Sequence, residues 1–198
     1  MREGKIYSIF GPMFSGKSTE LQRKIKRYQH ANKKCLVINY IKDNRYSSED
    51  VASTHDLVMI PAKKMHHLSD LSDAKALEYD VIGIDEGQFF DDLITTVDRW
   101  ANYGIIIIIA ALDSTFQRKG FGSVPELIAI SENVKKLSSI CTECNNKASF
   151  TKRLSKDTDV EVVGGSEIYK PVCRNCFNKD LDLVPQVSSL SINKQPSL

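Results

Sequence analysis

No apolar stretch of this 198-residue chain approaches the ~20 residues that cross a bilayer. The longest, 105–112, is the length of one buried strand, so no membrane role is expected. The first residues, Met1-Arg2-Glu3-Gly4-Lys5, lack the apolar core of a secretory signal. A cytoplasmic protein with reduced thiols is therefore expected. Charge of one sign is missing too: 27 basic residues face 25 acidic ones, a net charge of +2. The basic stripe of a dedicated nucleic-acid binder is absent, and no nucleic-acid partner is expected. The run Arg23-Lys24-Ile25-Lys26-Arg27 reads as the solvated face of a helix. Repeats are absent up to residue 111, and the guanine-reading motif Asn-Lys-x-Asp does not occur. What is present is an ordinary globular composition, 41% hydrophobic and 26% charged, enough for one main domain with a small appendage.

Gly11-Pro12-Met13-Phe14-Ser15-Gly16-Lys17-Ser18 spells G-x-x-x-x-G-K-S. Successive backbone N–H groups in such a loop converge on phosphate oxygens. Lys17 would reach the β- and γ-phosphates of ATP, and the Ser18 hydroxyl would bind Mg²⁺. The flanks fit: residues 5–10 read as a strand, and Leu21, Ile25 and Tyr28 recur at helical spacing, so the helix would add its positive N-terminal end.

Further along, residues 34–40 read as a second buried strand, with Cys35 a small core residue. Residues 58–60 suggest a short strand ended by Pro61. Residues 68–77 look helical, capped by Ser69 or Ser72. An apolar strand over 79–84 runs into Asp85 and Glu86, a helix over 92–103 closes at Gly104, and a β-branched strand fills 105–111. This alternation implies an α/β fold, a parallel sheet flanked by helices. Asp85, at a strand end opposite the glycine loop, would help hold Mg²⁺ through a water. Glu86 is then available to accept a proton from the attacking oxygen. A hydroxyl acceptor makes a kinase, and a water makes an ATPase.

After about residue 137 the character changes. Cys141-Thr142-Glu143-Cys144 and Cys173-Arg174-Asn175-Cys176 form two C-x-x-C pairs with residues 145–172 between them. Four thiolates close a tetrahedral, structural Zn²⁺ site, and the compartment argues against the disulfide alternative. Alternating runs at 148–154 and 160–163 suggest a hairpin inside this lobe. His55, His66 and His67 read as surface residues. The expected division is a nucleotide-binding domain over 1–137, a zinc-binding β lobe over 138–182 and a disordered tail over 183–198.

The loop 11–18 resembles that of the type II thymidine kinases. So do Lys42-Asp43-Asn44-Arg45-Tyr46, Asp85-Glu86-Gly87-Gln88-Phe89-Phe90, Ala111-Leu112-Asp113-Ser114-Thr115-Phe116-Gln117-Arg118-Lys119, Thr151-Lys152-Arg153-Leu154, Val163-Gly164-Gly165 and the second cysteine pair. The likeness runs from about residue 5 to 177. It implies ATP-dependent phosphorylation of the thymidine 5′-hydroxyl, yielding dTMP for DNA synthesis by salvage, with deoxyuridine a weaker substrate. Glu86 maps onto the family's base, with Lys17 and Arg45 beside it in catalysis. The nucleotide would meet residues 11–18, Asp43, Asp85 and Gln88. The nucleoside would meet Met13, Phe89, Leu112, Phe116, Phe121, Thr151, Val160, Val162, Gly164 and Tyr169, closed in by a loop over about 153–166. A homotetramer inhibited by dTTP is also implied. Gly120 and Ser114 stand where many relatives carry proline and glycine, which bears on the flexibility of the substrate-side loop. The rivals are a nucleic-acid-stimulated NTPase, which would share this P-loop, RecA-like sheet, and a zinc-ribbon binding module with a nucleotide switch.

Overall fold

A computed structural model of the chain describes residues 3–41, 51–52, 60–154 and 165–179. Strand β1 (Lys5–Phe10) leads through the glycine loop into helix α1 (Lys17–His30), then β2 (Cys35–Tyr40), β3 (Val51–Ala52), β4 (Ile60–Met65), α2 (Asp73–Ala76), β5 (Val81–Ile84), α3 (Leu93–Asn102), β6 (Ile106–Ala111), α4 (Leu127–Ile130) and β7 (Asn133–Lys136). These strands form one sheet in the order β3-β4-β2-β5-β6-β1-β7. Every pairing is parallel except that of β3 with β4. Six parallel strands flanked by helices make this an α/β fold, as the sequence alternation implies.

The central strands are apolar on both faces because both faces are covered. On one face Ile82, Ile84, Ile107 and Ile109 meet Leu93, Val97 and Trp100 of α3. On the other, Val37, Val81, Ile108 and Ala110 meet Leu21 and Ile25 of α1. Gly83 lets α1 lie close to the sheet: a Cβ there would stand 3.1 Å from Ile25 Cδ1 and 3.2 Å from Leu21 Cδ1.

Two expectations are corrected. Pro61 does not end a strand; it lies inside β4, beside the short edge partner β3. Residues 68–77 are not one helix. A 3-10 turn over Leu68–Asp70 is followed by α2, because the Asp92 carboxylate accepts the N–H groups of Leu68 (3.0 Å) and Ser69 (2.8 Å), while Ser72 caps α2 through Lys75 N–H. In the small lobe, β10 (Phe150–Arg153) pairs antiparallel with β11 (Tyr169–Val172), while 160–163, the other run expected in a hairpin, lies outside the described residues. Before them β8 (Ser139–Ile140) pairs with β9 (Lys147–Ala148), and α5 (Arg174–Asn178) follows. The core of this lobe is Cys141, Ala148, Val172, Cys176 and Phe177.

Candidate active site

Parallel strands deliver their C-terminal ends to one edge of the sheet, and the loops there form the natural crevice of such folds. β1 ends at Phe10 and the glycine loop follows it. Gly11 has φ 154, and a Cβ there would lie 2.6 Å from Ser15 Oγ and 2.8 Å from the Leu137 carbonyl oxygen, so only glycine fits this approach. Phe14 (φ 62) and Gly16 (φ 80) turn left-handed, and α1 begins at Lys17. Such a turn aims consecutive N–H groups at one point, as anion nests do. Ser15 Oγ is buried with no hydrogen-bond partner, a donor suited to an anion in the loop. Lys17 is buried and its Nζ donates to the Pro12 carbonyl at 2.9 Å, which holds the ammonium over the loop.

β5 ends two strands away. Ser18 Oγ donates to Asp85 Oδ1 at 3.1 Å, and Glu86 N–H donates to the same oxygen at 3.0 Å. Burial, and then the Glu86 charge beside it, push the Asp85 carboxyl up to about 7. A cation set against it would pull that value back down. The hydroxyl and carboxylate oxygens of Ser18 and Asp85 form the hard donor set that Mg²⁺ prefers. Glu86 is held left-handed at φ 54, ψ 42, a conformation that persists in non-glycine residues only where the surroundings impose it. Its Oε2 accepts from Gln88 Nε2 at 2.6 Å, and Gln88 Oε1 accepts from Leu112 N–H at 2.9 Å.

The residues expected on the nucleoside side fall into three sets of contacts. Phe89 is stacked on Tyr40 (centroids 5.2 Å apart) and meets Phe121 edge-on at 5.8 Å. Thr151 is buried, and its hydroxyl accepts Met13 N–H at 3.0 Å, which ties the small lobe to the glycine loop. Ser139 makes a second tie by donating to the Phe14 carbonyl at 3.0 Å. Tyr169 stands opposite Arg153 across β10 and β11, and Arg153 Nη2 donates to its hydroxyl at 2.6 Å. The same guanidinium lies 3.9 Å over the Phe116 ring, so one face of Phe116 is already covered. The stretch 112–121 is closed by a bridge between Ser114 and Gly120, the two departures noted above, and is pinned by an ion pair from Lys136 to Asp113.

Cys141, Cys144, Cys173 and Cys176 come together with their sulfurs all within 4.8 Å of one another, and Cys144 and Cys173 are 3.6 Å apart. Zn–S bonds of ≈ 2.3 Å in a tetrahedron put sulfurs roughly 3.8 Å apart, so the cluster fits zinc. Burial opposes ionisation of Cys141, but the backbone N–H groups of Cys173, Glu143 and Cys144 outweigh it and bring the thiol to about 6. Burial raises Cys176 instead.

The structure thus brings together residues 11–18, Asp85, Glu86, Gln88 and Leu112, and joins Met13 to Thr151. Asp43, Arg45, His55, Val160, Val162, Gly164, most of the expected closing loop 153–166 and the tail 183–198 lie outside the described residues. Reasoning from sequence missed Arg153 and Tyr40, whose partners are far along the chain and carry no spacing signal. His66 and His67 are exposed, as expected.

A family model described as "Thymidine kinase" matches residues 4–177. The chain is 51% identical to the thymidine kinase of Sheeppox virus over 177 residues, covering 89% of this chain and 98% of that one. It is 50% identical to the cytosolic thymidine kinase of Gallus gallus over 174 residues, 88% of this chain and 77% of that one. It is 51% identical to thymidine kinase 1 of Dictyostelium discoideum over 180 residues, 89% and 79% of the two chains.

Proposed function

The chain belongs to the thymidine kinase family, and from that premise we propose that it transfers the γ-phosphate of ATP to the 5′-hydroxyl of thymidine, with Glu86 as base. The thymidine 5′-oxygen bonds to the γ-phosphorus as the β–γ bridging P–O bond breaks. ADP leaves with that electron pair, and Glu86 takes the hydroxyl proton. The observation that carries the reading is the convergence at one sheet edge of the left-handed glycine loop, buried Lys17, and the Ser18–Asp85–Glu86 chain of hydrogen bonds.

Each residue has a physical task. The backbone N–H groups of the loop after Met13 and the α1 terminus bind phosphate oxygens, and Lys17 neutralises the charge that shifts toward the β–γ bridge. Ser18 and Asp85 would hold Mg²⁺, which neutralises phosphate charge when bound. Asp43 and Arg45 would serve the phosphates on the strength of the resemblance alone. Met13, Phe89, Leu112, Phe116, Phe121, Thr151 and Tyr169 would surround the nucleoside, with Val160, Val162 and Gly164 closing over it. The four cysteines would hold a structural zinc that organises residues 138–182 beside the nucleotide-binding residues 1–137. Among the described residues no helix is long and apolar enough to cross a membrane. Relatives named cytosolic thymidine kinases support a cytosolic site of action, and a role in nucleotide salvage is part of the same proposal. Inhibition by dTTP and assembly as a homotetramer belong to the same proposal.

A coupled ADP assay across the four deoxynucleosides and deoxyuridine tests it. Thymidine is expected to give the highest kcat/KM. Deoxyuridine lacks one methyl, worth ~1–3 kcal/mol, and should turn over measurably but more slowly. ADP release that ignores nucleosides, or that nucleic acid stimulates, contradicts the proposal.

A further inference from the structure

Gln88 is 8% exposed and makes two hydrogen bonds in opposite directions. Its Oε1 accepts Leu112 N–H at 2.9 Å, and its Nε2 donates to Glu86 Oε2 at 2.6 Å. The chemistry of the partners fixes the amide's orientation. A backbone N–H can only donate, so the oxygen must face Leu112. The amino group is then left for the carboxylate, which accepts. The carboxylate so held belongs to a residue at φ 54. The intervening Gly87 lies flat on β6, where a Cβ would come within 2.9 Å of Ile109 Cγ2. Leu112 follows β6 directly and opens the stretch that carries Phe116 and Phe121.

We propose that Gln88 is a positioning residue: it aims the Glu86 carboxylate by anchoring it to the Leu112 backbone, so that the base and the nucleoside-side stretch share one reference point. This rests on the reading of Glu86 as base. A neutral amide suits the task, because it restrains the carboxylate without competing for the hydroxyl proton.

Three variants test the idea by kcat, by KM for thymidine and ATP, and by thermal melting. Gln88→Met keeps the length and loses both bonds. Its kcat should fall on the order of 10²-fold, as a misaimed group does, with both KM values within about 3-fold. Gln88→Glu keeps an acceptor for Leu112 but turns an anion toward Glu86. It should be at least as slow, and if Gln88→Met folds poorly this second variant decides. Combining Gln88→Met with Glu86→Gln should cost nothing beyond Glu86→Gln alone, since there is no base left to aim. A full kcat in Gln88→Met, a rise in ATP KM with kcat intact, or a further loss in the double variant overturns the inference. Near-normal turnover in Glu86→Gln overturns the reading of the base itself, whereas a slow Glu86→Gln beside a fast Gln88→Met sinks only the positioning role.

Discussion

Thr151, a residue 5% exposed, accepts the Met13 N–H with its hydroxyl, and in doing so one side chain joins the small lobe to the glycine loop. Thr151→Val keeps the shape and removes the acceptor, leaving a donor unmet. The expected cost is about 1–2 kcal/mol, read as a lower Tm in a thermal melt, and unchanged melting contradicts it. Arg153 makes the neighbouring contact, with one guanidinium on the Tyr169 hydroxyl and on the Phe116 face. Arg153→Met should raise the KM for thymidine while leaving that for ATP near its original value, because both partners belong to the proposed nucleoside site. At this scale the sequence is legible where chemistry demands a fixed local spacing. Lys17, Ser18, Asp85, Glu86 and the two cysteine pairs could be named because their partners lie within a few residues or because the motif specifies the ligand. The bonds of Gln88 to Leu112 and of Arg153 to Phe116 depend on distances that only folding sets.

Helix α1 is fastened both by packing and by charge. Leu21 and Ile25 are fully buried against the sheet, while the neighbouring Glu20 pairs with Arg23 at 2.6 Å and with Lys135 of β7 at 2.9 Å. The Arg23 hydrogen bond, opposed by burial and reinforced by Lys135, lowers the Glu20 carboxyl from 4.5 to about 2. A carboxylate with a depressed folded value stabilises the fold above its unfolded value. The contribution of Glu20 is therefore complete above pH 4.5 and fades as the pH drops toward 2. Each pair is worth ~0.2–1 kcal/mol at the surface. Chemical denaturation of Glu20→Gln beside the parent should give stability curves that differ at pH 6 by about 1 kcal/mol and converge near pH 2; a constant gap contradicts this. Helix α3 is tied more deeply, since Trp100 is fully buried and its indole N–H donates to Asp73 Oδ1 at 3.0 Å. Trp100→Ala should cost about 3–5 kcal/mol. Elements with strong patterning, such as α3 and β6, are readable to within a residue or two. The stretch 68–77 was not, because the Asp92 carboxylate caps its first turn from 23 and 24 residues away and no local pattern shows it. The strand at Pro61 was misread for a related reason: proline is tolerated in β4 where its partner β3 is only two residues long.

The molecule as a whole joins a well-packed sheet to a lobe whose core is small and includes Cys141 and Cys176 of the sulfur cluster. Arg118 reaches over the Phe177 ring at 4.5 Å, and Arg174 over Phe150 at 4.9 Å, so cations help clamp α5 to the stretch 112–121 and to β10. Metal binding should supply much of this lobe's folding energy. One zinc per chain is expected by atomic absorption. Its removal by chelation should abolish thymidine phosphorylation and expose the amides of β10 and β11 to exchange, while β1 and β6 stay protected. Full activity without zinc contradicts that division of labour. The central claim is that Glu86 carries away the proton of the attacking hydroxyl, and single-turnover phosphorylation of thymidine by Glu86→Gln, measured beside its ATP affinity, tests it most directly. ATP binding should remain close to that of the parent while the phosphoryl-transfer rate drops by about 10²–10⁴. A variant that binds ATP and phosphorylates thymidine at the parent's rate would contradict the account.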